Sequence, residues 1–292
     1  MQLTTLRDVL QWAEQSFEAA NLYFGHGTNN AWDEAVALAL FVLQIPPDSD
    51  TSILDRVMSP SEREKLIALV NRRIQERIPV PYLTHEAWFM GLKFYVDKRV
   101  IIPRSPMGEL ILNGFEPWLG NRPVRRILDL CTGSGCIAIA CAKIFSQATV
   151  DAVDISKDAL SVAAQNIQLH ACQNQVNLIH ADLFEGCAGQ QYDIIISNPP
   201  YVDTDEMEAL PLEFHFEPSL ALEAGSDGLM VVKRILKEAS YYLSSSGLLF
   251  VEVGNAMEAL QAHYPKVPFT WLEFERGGQG VFMLEKEKIT GA

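Results

Sequence analysis

The sequence predicts an α/β protein in which a small helical N-terminal domain precedes a mostly parallel sheet covered by helices on both faces. Three features predict it. Residues 1–80 carry apolar side chains at helical spacing, without strand-like alternation. From about Val124 onward, "VRRILDL", "TVDAVDI", "QVNLIHAD", "YDIIISN" and "GLLFVEVG" read as strands separated by helix-like stretches, the alternation that builds a parallel sheet. A glycine-rich turn follows the first of these runs directly, as it does where such a sheet binds a ligand.

In chain order, Leu6, Val9, Leu10, Ala13 and Phe17 mark an amphipathic helix, and "AWDEAVALALFVL" marks a more deeply buried one that ends at Pro46 and Pro47. A third opens at "SPSEREKL", with Ser59 as cap, Pro60 in the first helical position and Glu62 closing a capping box. Residues 86–103, "EAWFMGLKFYVDKRVIIP", change to strand-type composition around Gly91 and predict a linking hairpin. The chain finishes with "FTWLEFE", a "RGGQ" turn and "GVFMLEK", read as an antiparallel hairpin at the sheet edge. The expected organisation is a helical recognition domain over 1–80, a linker with a β-hairpin over 81–108, and the sheet domain over 109–292.

With 292 residues and 48% hydrophobic content the chain can bury a sizeable core. Its net charge of −14 argues against a dedicated nucleic-acid binder and for a basic protein partner. The longest apolar run, Ala35 to Leu43, is about half the ~18 residues of a bilayer span. The polar start "MQLTTLRDVLQWAEQ" lacks a signal-peptide pattern, so no membrane association and a cytoplasmic location are expected. Cys131, Cys136, Cys141, Cys172 and Cys187 include no C-x-x-C, and the histidines form no H-x-x-x-H pair. No metal site is expected.

The first strand runs into "DLCTGSGCIAIA", in which Gly133, Gly135 and Ala138 fit the G-x-G-x-x-G/A spacing. Such glycines permit a tight turn and close approach of backbone to a ligand at a helix start. Asp154 ends the second strand, close to where an acidic side chain accepts from ribose hydroxyls; capping the helix at "SKDAL" is its alternative role, with Ser156 as a competing cap. An adenosine-containing cofactor follows, and both NAD and S-adenosylmethionine satisfy the loop. Three further residues favour S-adenosylmethionine. Asp129, at the end of the first strand, is placed to hold an ammonium group; Asp182 in "HADLF" is placed to accept from the adenine amino group while Leu183 covers the ring; and Asn198 reaches the same sheet edge.

Asn198 opens "NPPY", and this motif addresses a specific chemical problem. An NH2 group conjugated to a carbonyl or an aromatic ring is a poor nucleophile because its lone pair is delocalised. The Asn198 side-chain oxygen and the Pro199 carbonyl can each accept one of its N–H bonds, aiming the nitrogen at an electrophilic methyl and easing it toward tetrahedral geometry. Pro199 and Pro200, with fixed φ and no N–H, keep the backbone rigid and free of competing donors. Tyr201 can lie against the flat face of the incoming group. No general base is needed before attack.

With "DLCTGSG", "VDAVDIS", "ADLF" and "NPPYVD" in this order, the chain resembles the protein-glutamine methyltransferases of the HemK/PrmB group over nearly its whole length. The resemblance implies a seven-stranded, Rossmann-like methyltransferase sheet with a helical N-terminal domain. Release-factor members of the group carry P-R-P-[DE]-T-E before the glycine loop; "PRSPMGE" at 103–109 departs from that and looks like the PrmB branch, which methylates a glutamine of the third large-subunit ribosomal protein. Such a substrate is strongly basic, matching the chain's acidity. Carried over by position, the resemblance places Cys131, Thr132, Gly133, Ser134, Gly135, Asp154, Ile155, Asp182 and Leu183 around the cofactor, and Asn198 to Tyr201 around the glutamine amide. Cys131 occupies a position often glycine in the group, so its side chain must point away from the ligand or narrow the pocket. Arg104 and Ser105 are candidates for substrate contact or hinge closure.

Rival readings are a release-factor methyltransferase, an adenine or cytosine amino-methyltransferase, which would use a similar N-P-P-[YF] on an extruded base, and an NAD-dependent dehydrogenase. Within residues 1–80, 11 acidic residues against 7 basic ones leave no basic face for nucleic acid, so no stable nucleic-acid binding is expected.

Overall fold

The computed structural model describes residues 3–46 and 49–289. The chain forms two compact units, Met1–Ala87 with Pro211–Phe216, and Trp88–Leu210 with Glu217–Ala292.

The first unit is helical. Helix α1 (Leu6–Ala19) starts in a capping box between Thr5 and Asp8, and α2 (Ala31–Leu43) is capped by Asn30. The α2 helix ends ahead of Pro46; Pro47 lies outside the described residues. Helix α3 (Pro60–Glu76) opens with the expected Ser59–Glu62 capping box and Pro60 in its first turn, and α4 (Val80–Thr84) follows. The five apolar positions of α1 are all buried, against Leu38 of α2 and Leu66 and Val70 of α3. Within this core lies a fully buried cation. Arg73 bonds Glu34 at 2.9 Å and Glu213, from Pro211–Phe216, at 3.4 Å, while Arg77 reaches Glu213 at 2.9 Å. The Arg73 guanidinium is thus paired with two carboxylates out of contact with water, an arrangement tolerated only when each charge has a partner.

Strands β1 (Glu86–Phe89) and β2 (Leu92–Tyr95) form the predicted hairpin. Its turn residues Met90 and Gly91 both have positive φ, 52° and 73°, as a tight two-residue turn between twisted strands requires.

The second unit then runs α5 (Met107–Leu112), β3 (Arg126–Leu130), α6 (Cys136–Ile144), β4 (Thr149–Asp154), α7 (Lys157–Leu169), β5 (Val176–His180) and β6 (Tyr192–Ser197). It continues with α8 (Thr204–Ala209), α9 (Met230–Tyr242), β7 (Leu243–Glu252), α10 (Met257–His263), β8 (Thr270–Trp271), β9 (Val281–Glu285) and α11 (Lys286–Ile289). The seven strands lie in the order β5-β4-β3-β6-β7-β9-β8, parallel except where β9 pairs antiparallel with β7 and β8. The expected seven-stranded sheet with an antiparallel terminal hairpin is therefore present. Its edge strand β8 has only two residues, and the Leu272 amide just beyond it still donates to the Val281 carbonyl of β9 at 2.9 Å.

Burial on both faces explains the apolar run before Asn198: Ile194 and Ile196 enter one core cluster and Ile195 the other. The chain winds from β3 outward through β4 to β5, then crosses back to place β6 on the other side of β3. Where a sheet reverses like this, the loops leaving the two strands part and open a crevice at their carboxyl ends. Leu130 and Ser197 are register partners on β3 and β6, so Cys131 and Asn198 leave adjacent strands at the crevice. Among the described residues, no helix is long and apolar enough to cross a membrane.

Candidate active site

At the crevice a cavity of about 220 Å³ is lined by Cys131 and Gly133 of the first loop, Asp154 and Ile155 at the end of β4, Asp182 and Leu183 after β5, and Asn198 and Pro200 after β6. Residues 67 positions apart in sequence are brought to one wall by the parallel pairing of β3 with β6.

The glycine loop is held from beneath by Asp129. This carboxylate is fully buried; one oxygen accepts from Thr132 Oγ1 at 2.6 Å and from the Ala138 amide at 3.1 Å. Its other oxygen, Oδ1, is buried and has no hydrogen-bond partner among the described residues. Burial pushes its carboxyl up to about 7, against the hydrogen bonds that favour the ionised form. Thr132 and Ser134 are buried beside it. Gly133, at φ +54°, faces open space, whereas a Cβ on Gly135, at φ +79°, would approach Ala163 to 3.2 Å. The first glycine thus leaves room for a ligand and the second lets α7 pack close.

Asp154 receives the Gly133 amide at 2.9 Å and the Ser156 amide at 2.8 Å. Ser156 itself caps α7 by accepting from Ala159, so Asp154 is not the helix cap. Burial raises its carboxyl above the usual range. Cys131 lines the cavity at φ +60°. Burial and the nearby Asp154 and Asp129 raise its thiol far above neutrality, which leaves it uncharged and unreactive.

Leu183 adopts a left-handed backbone, φ +51°, and is buried on the wall; non-glycine residues held there recur at ligand clamps. Ile155 is half exposed on the same wall. Asp182 pairs with Arg234 of α9 at 3.0 Å.

At the acceptor side, Asn198 lines the cavity, and its side chain makes no hydrogen bond among the described residues. Pro199 is buried, and the lining includes Asn198 and Pro200 on either side of it in sequence. Tyr201 stands off the wall, its hydroxyl donating to Glu252 at 3.1 Å. Arg104 is bound in a two-pronged ion pair with Glu217, at 2.5 and 2.7 Å, and Ser105 donates to Glu252 at 2.5 Å.

Sequence reasoning missed Arg99, Leu220, Met230 and Arg234, which also line the cavity. The exposed apolar side chains Leu220 and Met230 lie outside every motif, and only the fold brings them there. Among the described residues, no cluster of His, Cys, Asp or Glu could hold a metal ion.

A reversing parallel sheet, a glycine loop backed by a buried aspartate, a carboxylate on the cavity wall at the end of the next strand and an Asn-Pro-Pro-Tyr loop on the adjacent strand together define a Rossmann-like methyltransferase. The comparisons agree. Residues 110–214 match the model of the "Methyltransferase small domain". The catalytic domain of hMettl16, solved with a MAT2A 3′UTR hairpin, superposes with a TM-score of 0.51 over 79% of this chain and 84% of that one, at 18% identity; at that distance the likeness is of fold.

The ribosomal protein uL3 glutamine methyltransferase of Francisella tularensis subsp. tularensis is 47% identical over 288 residues, 98% of this chain and 92% of the relative. That of Neisseria gonorrhoeae is 48% identical over 291 residues, 99% and 97% of the two chains. The chain belongs to this family of ribosomal-protein glutamine methyltransferases.

Proposed function

We propose that this protein transfers a methyl group from S-adenosylmethionine to the side-chain amide nitrogen of a glutamine in ribosomal protein uL3. The carrying observation is that Asn198 reaches the cavity from β6 with its amide unpaired among the described residues, beside the glycine loop of β3.

The residues fit the cofactor on structural grounds. The orphaned buried oxygen of Asp129 asks for a cation or a water that carries one nearby, which an amino-acid ammonium supplies. The open space over Gly133 accommodates a chain pressed against backbone, Asp154 has lone pairs left for a ribose diol, and Ile155 and Leu183 offer apolar surface for a purine. When bound, S-adenosylmethionine supplies an electrophilic methyl on a sulfonium.

The chain's own contribution is to the acceptor. The Asn198 side-chain oxygen and the Pro199 carbonyl hold the two N–H bonds of the glutamine amide, turning its nitrogen lone pair toward the methyl. Both acceptors strengthen as that nitrogen turns cationic, so their effect is greatest in the transition state. The proton then leaves the nitrogen, restoring a neutral amide, with no base required beforehand. The acidic surface attracts a basic ribosomal protein and repels nucleic acid, and modification of such a protein fits a cytoplasmic enzyme. Arg104, engaged by Glu217, serves to tie down the segment before α5.

The test offers the enzyme labelled S-adenosylmethionine with ribosomal proteins, release factors and rRNA in separate pools, and locates the label by mass spectrometry. Label on a uL3 glutamine is expected. Label confined to release factors or rRNA would reject the assignment.

A further inference from the structure

We propose that Glu252 is a positioning residue for the acceptor loop, its carboxylate tying Tyr201 of that loop to Ser105 of the segment before α5. The proposal rests on the functional reading above and adds to it what holds the two acceptor oxygens in place.

Glu252 ends β7, the strand next to β6, and is only 5% exposed. Each of its oxygens serves a different element: Oε1 accepts from the Tyr201 hydroxyl at 3.1 Å, and Oε2 from Ser105 Oγ at 2.5 Å. The donors come from 51 and 147 residues away in sequence. A carboxylate that accepts two hydroxyls in a dry site fixes both strongly, because hydrogen bonds to a charged group are shorter and stronger than neutral ones.

Neither donor is free to drift. Arg104, the neighbour of Ser105, is bidentate to Glu217, and Glu217 also receives the Ile102 amide at 3.0 Å. Around Tyr201, glycines replace side chains that could not fit. A Cβ on Gly254 would come within 2.5 Å of the Tyr201 ring, and one on Gly228 within 2.5 Å of its carbonyl oxygen. Just beyond, Val202 exchanges backbone hydrogen bonds with Leu222 and Ala224, both at 2.8 Å.

The geometry has a direct consequence for the acceptors. Between Ser197, fixed in the sheet, and Tyr201, fixed by Glu252, lie only Asn198, Pro199 and Pro200. Two of those three have φ locked by their rings. With both ends anchored, the direction of the Asn198 side chain and of the Pro199 carbonyl is set by where Tyr201 is held. Tyr201 thereby acts from behind the loop through its hydroxyl, not as a platform at the cavity wall.

Three variants test this: Tyr201→Phe and Ser105→Ala, which each delete one donor and leave the core filled, and Glu252→Gln, which keeps the shape and one acceptor. Steady-state methyl transfer to recombinant uL3 is measured beside the dissociation constant for S-adenosylmethionine. Tyr201→Phe is expected to lower kcat about 10-fold, with KM for uL3 and cofactor affinity within about twofold of wild type, since loosened geometry acts on the transition state. Ser105→Ala should lower kcat less, and Tyr201→Phe combined with Glu252→Gln should be no worse than Tyr201→Phe alone, because both break one link. A purely structural contact would lower the melting temperature and leave kcat of the folded enzyme unchanged; that result, or strictly additive losses, overturns the proposal. If wild type binds the methyl donor yet labels no glutamine, the functional reading falls and takes this proposal with it. If wild type is active and both hydroxyl deletions are fully active, only the proposal falls.

Discussion

The loops that leave β3 and β6 start side by side, yet they are held by different kinds of support. The cofactor loop is fixed locally: Asp129 holds Thr132 and the Ala138 amide, and Asp154 of the next strand holds Gly133. The acceptor loop is fixed from far away, by Glu252 and Ser105 at Tyr201 and by Leu222 and Ala224 at Val202. Its continuation then supplies Pro211–Phe216 to the helical unit, where Glu213 is buried against Arg73 and Arg77. A binding loop can be built from one βαβ segment, since it needs only to present amides and a carboxylate. On the proposed function, the β6 loop orients two acceptors on a reacting nitrogen and demands tighter placement, and elements spread over the chain hold it.

The largest effect is expected where this positioning meets the reaction. Asn198→Ala should lower single-turnover methyl transfer by about 100- to 1000-fold, the usual loss for one preorganised transition-state hydrogen bond, while equilibrium binding of labelled S-adenosylmethionine stays as in wild type. Near-normal turnover would mean that the β6 loop does not carry the acceptor.

The second break concerns the distant anchor. Glu213→Ala leaves Arg73 with Glu34 alone and Arg77 with no carboxylate in that pocket, so chemical unfolding should show a loss of about 3 kcal/mol, as for other broken buried ion pairs. A variant as stable as wild type would show that the anchor segment contributes little. On the local side, Asp154→Ala should weaken cofactor binding about 10- to 100-fold, the equivalent of about 1.5–3 kcal/mol for hydrogen bonds to a charged group. An unchanged dissociation constant would remove the ribose role.

The same contrast decides what could be seen in the sequence. The glycine loop, Asp154 and the capping box at Ser59 were legible because each is a short pattern whose parts touch one another. The sheet was legible because two-sided burial writes continuous apolar strands such as that before Asn198. Glu252 was not, for it lies in an ordinary apolar strand and means nothing until β7 is placed beside β6. Arg104 showed only as a charge in a turn; its commitment to Glu217 spans 113 residues. Glu213 and Arg73 likewise look like surface charges on paper, 140 positions apart, and become a buried pair only after folding. Motifs therefore identify a chemistry well and the scaffold that aims it poorly.

The most modest effect, that expected within one unit of neutrality, tests the local side by pH. Burial raises the Asp129 carboxyl to about 7, well above the ~3.9 of an unfolded chain. The folded protein consequently binds a proton that the unfolded chain releases, and stability from this group is greatest below the unfolded value and declines as pH rises toward 7. Cofactor binding has the opposite slope. A cation facing Oδ1 favours the ionised carboxylate, so affinity for S-adenosylmethionine should fall by up to about 10-fold per unit as pH drops below about 7. Asp154, also raised by burial and close enough to disfavour ionisation of Asp129, acts in the same direction; Asp129→Asn separates the two. That variant should bind the cofactor more weakly at pH 8 and with a flatter pH dependence, measured by calorimetry. A wild-type affinity independent of pH between 5 and 8 would show that the buried oxygen faces no cation, and that the glycine loop is held by Asp129 for structure alone.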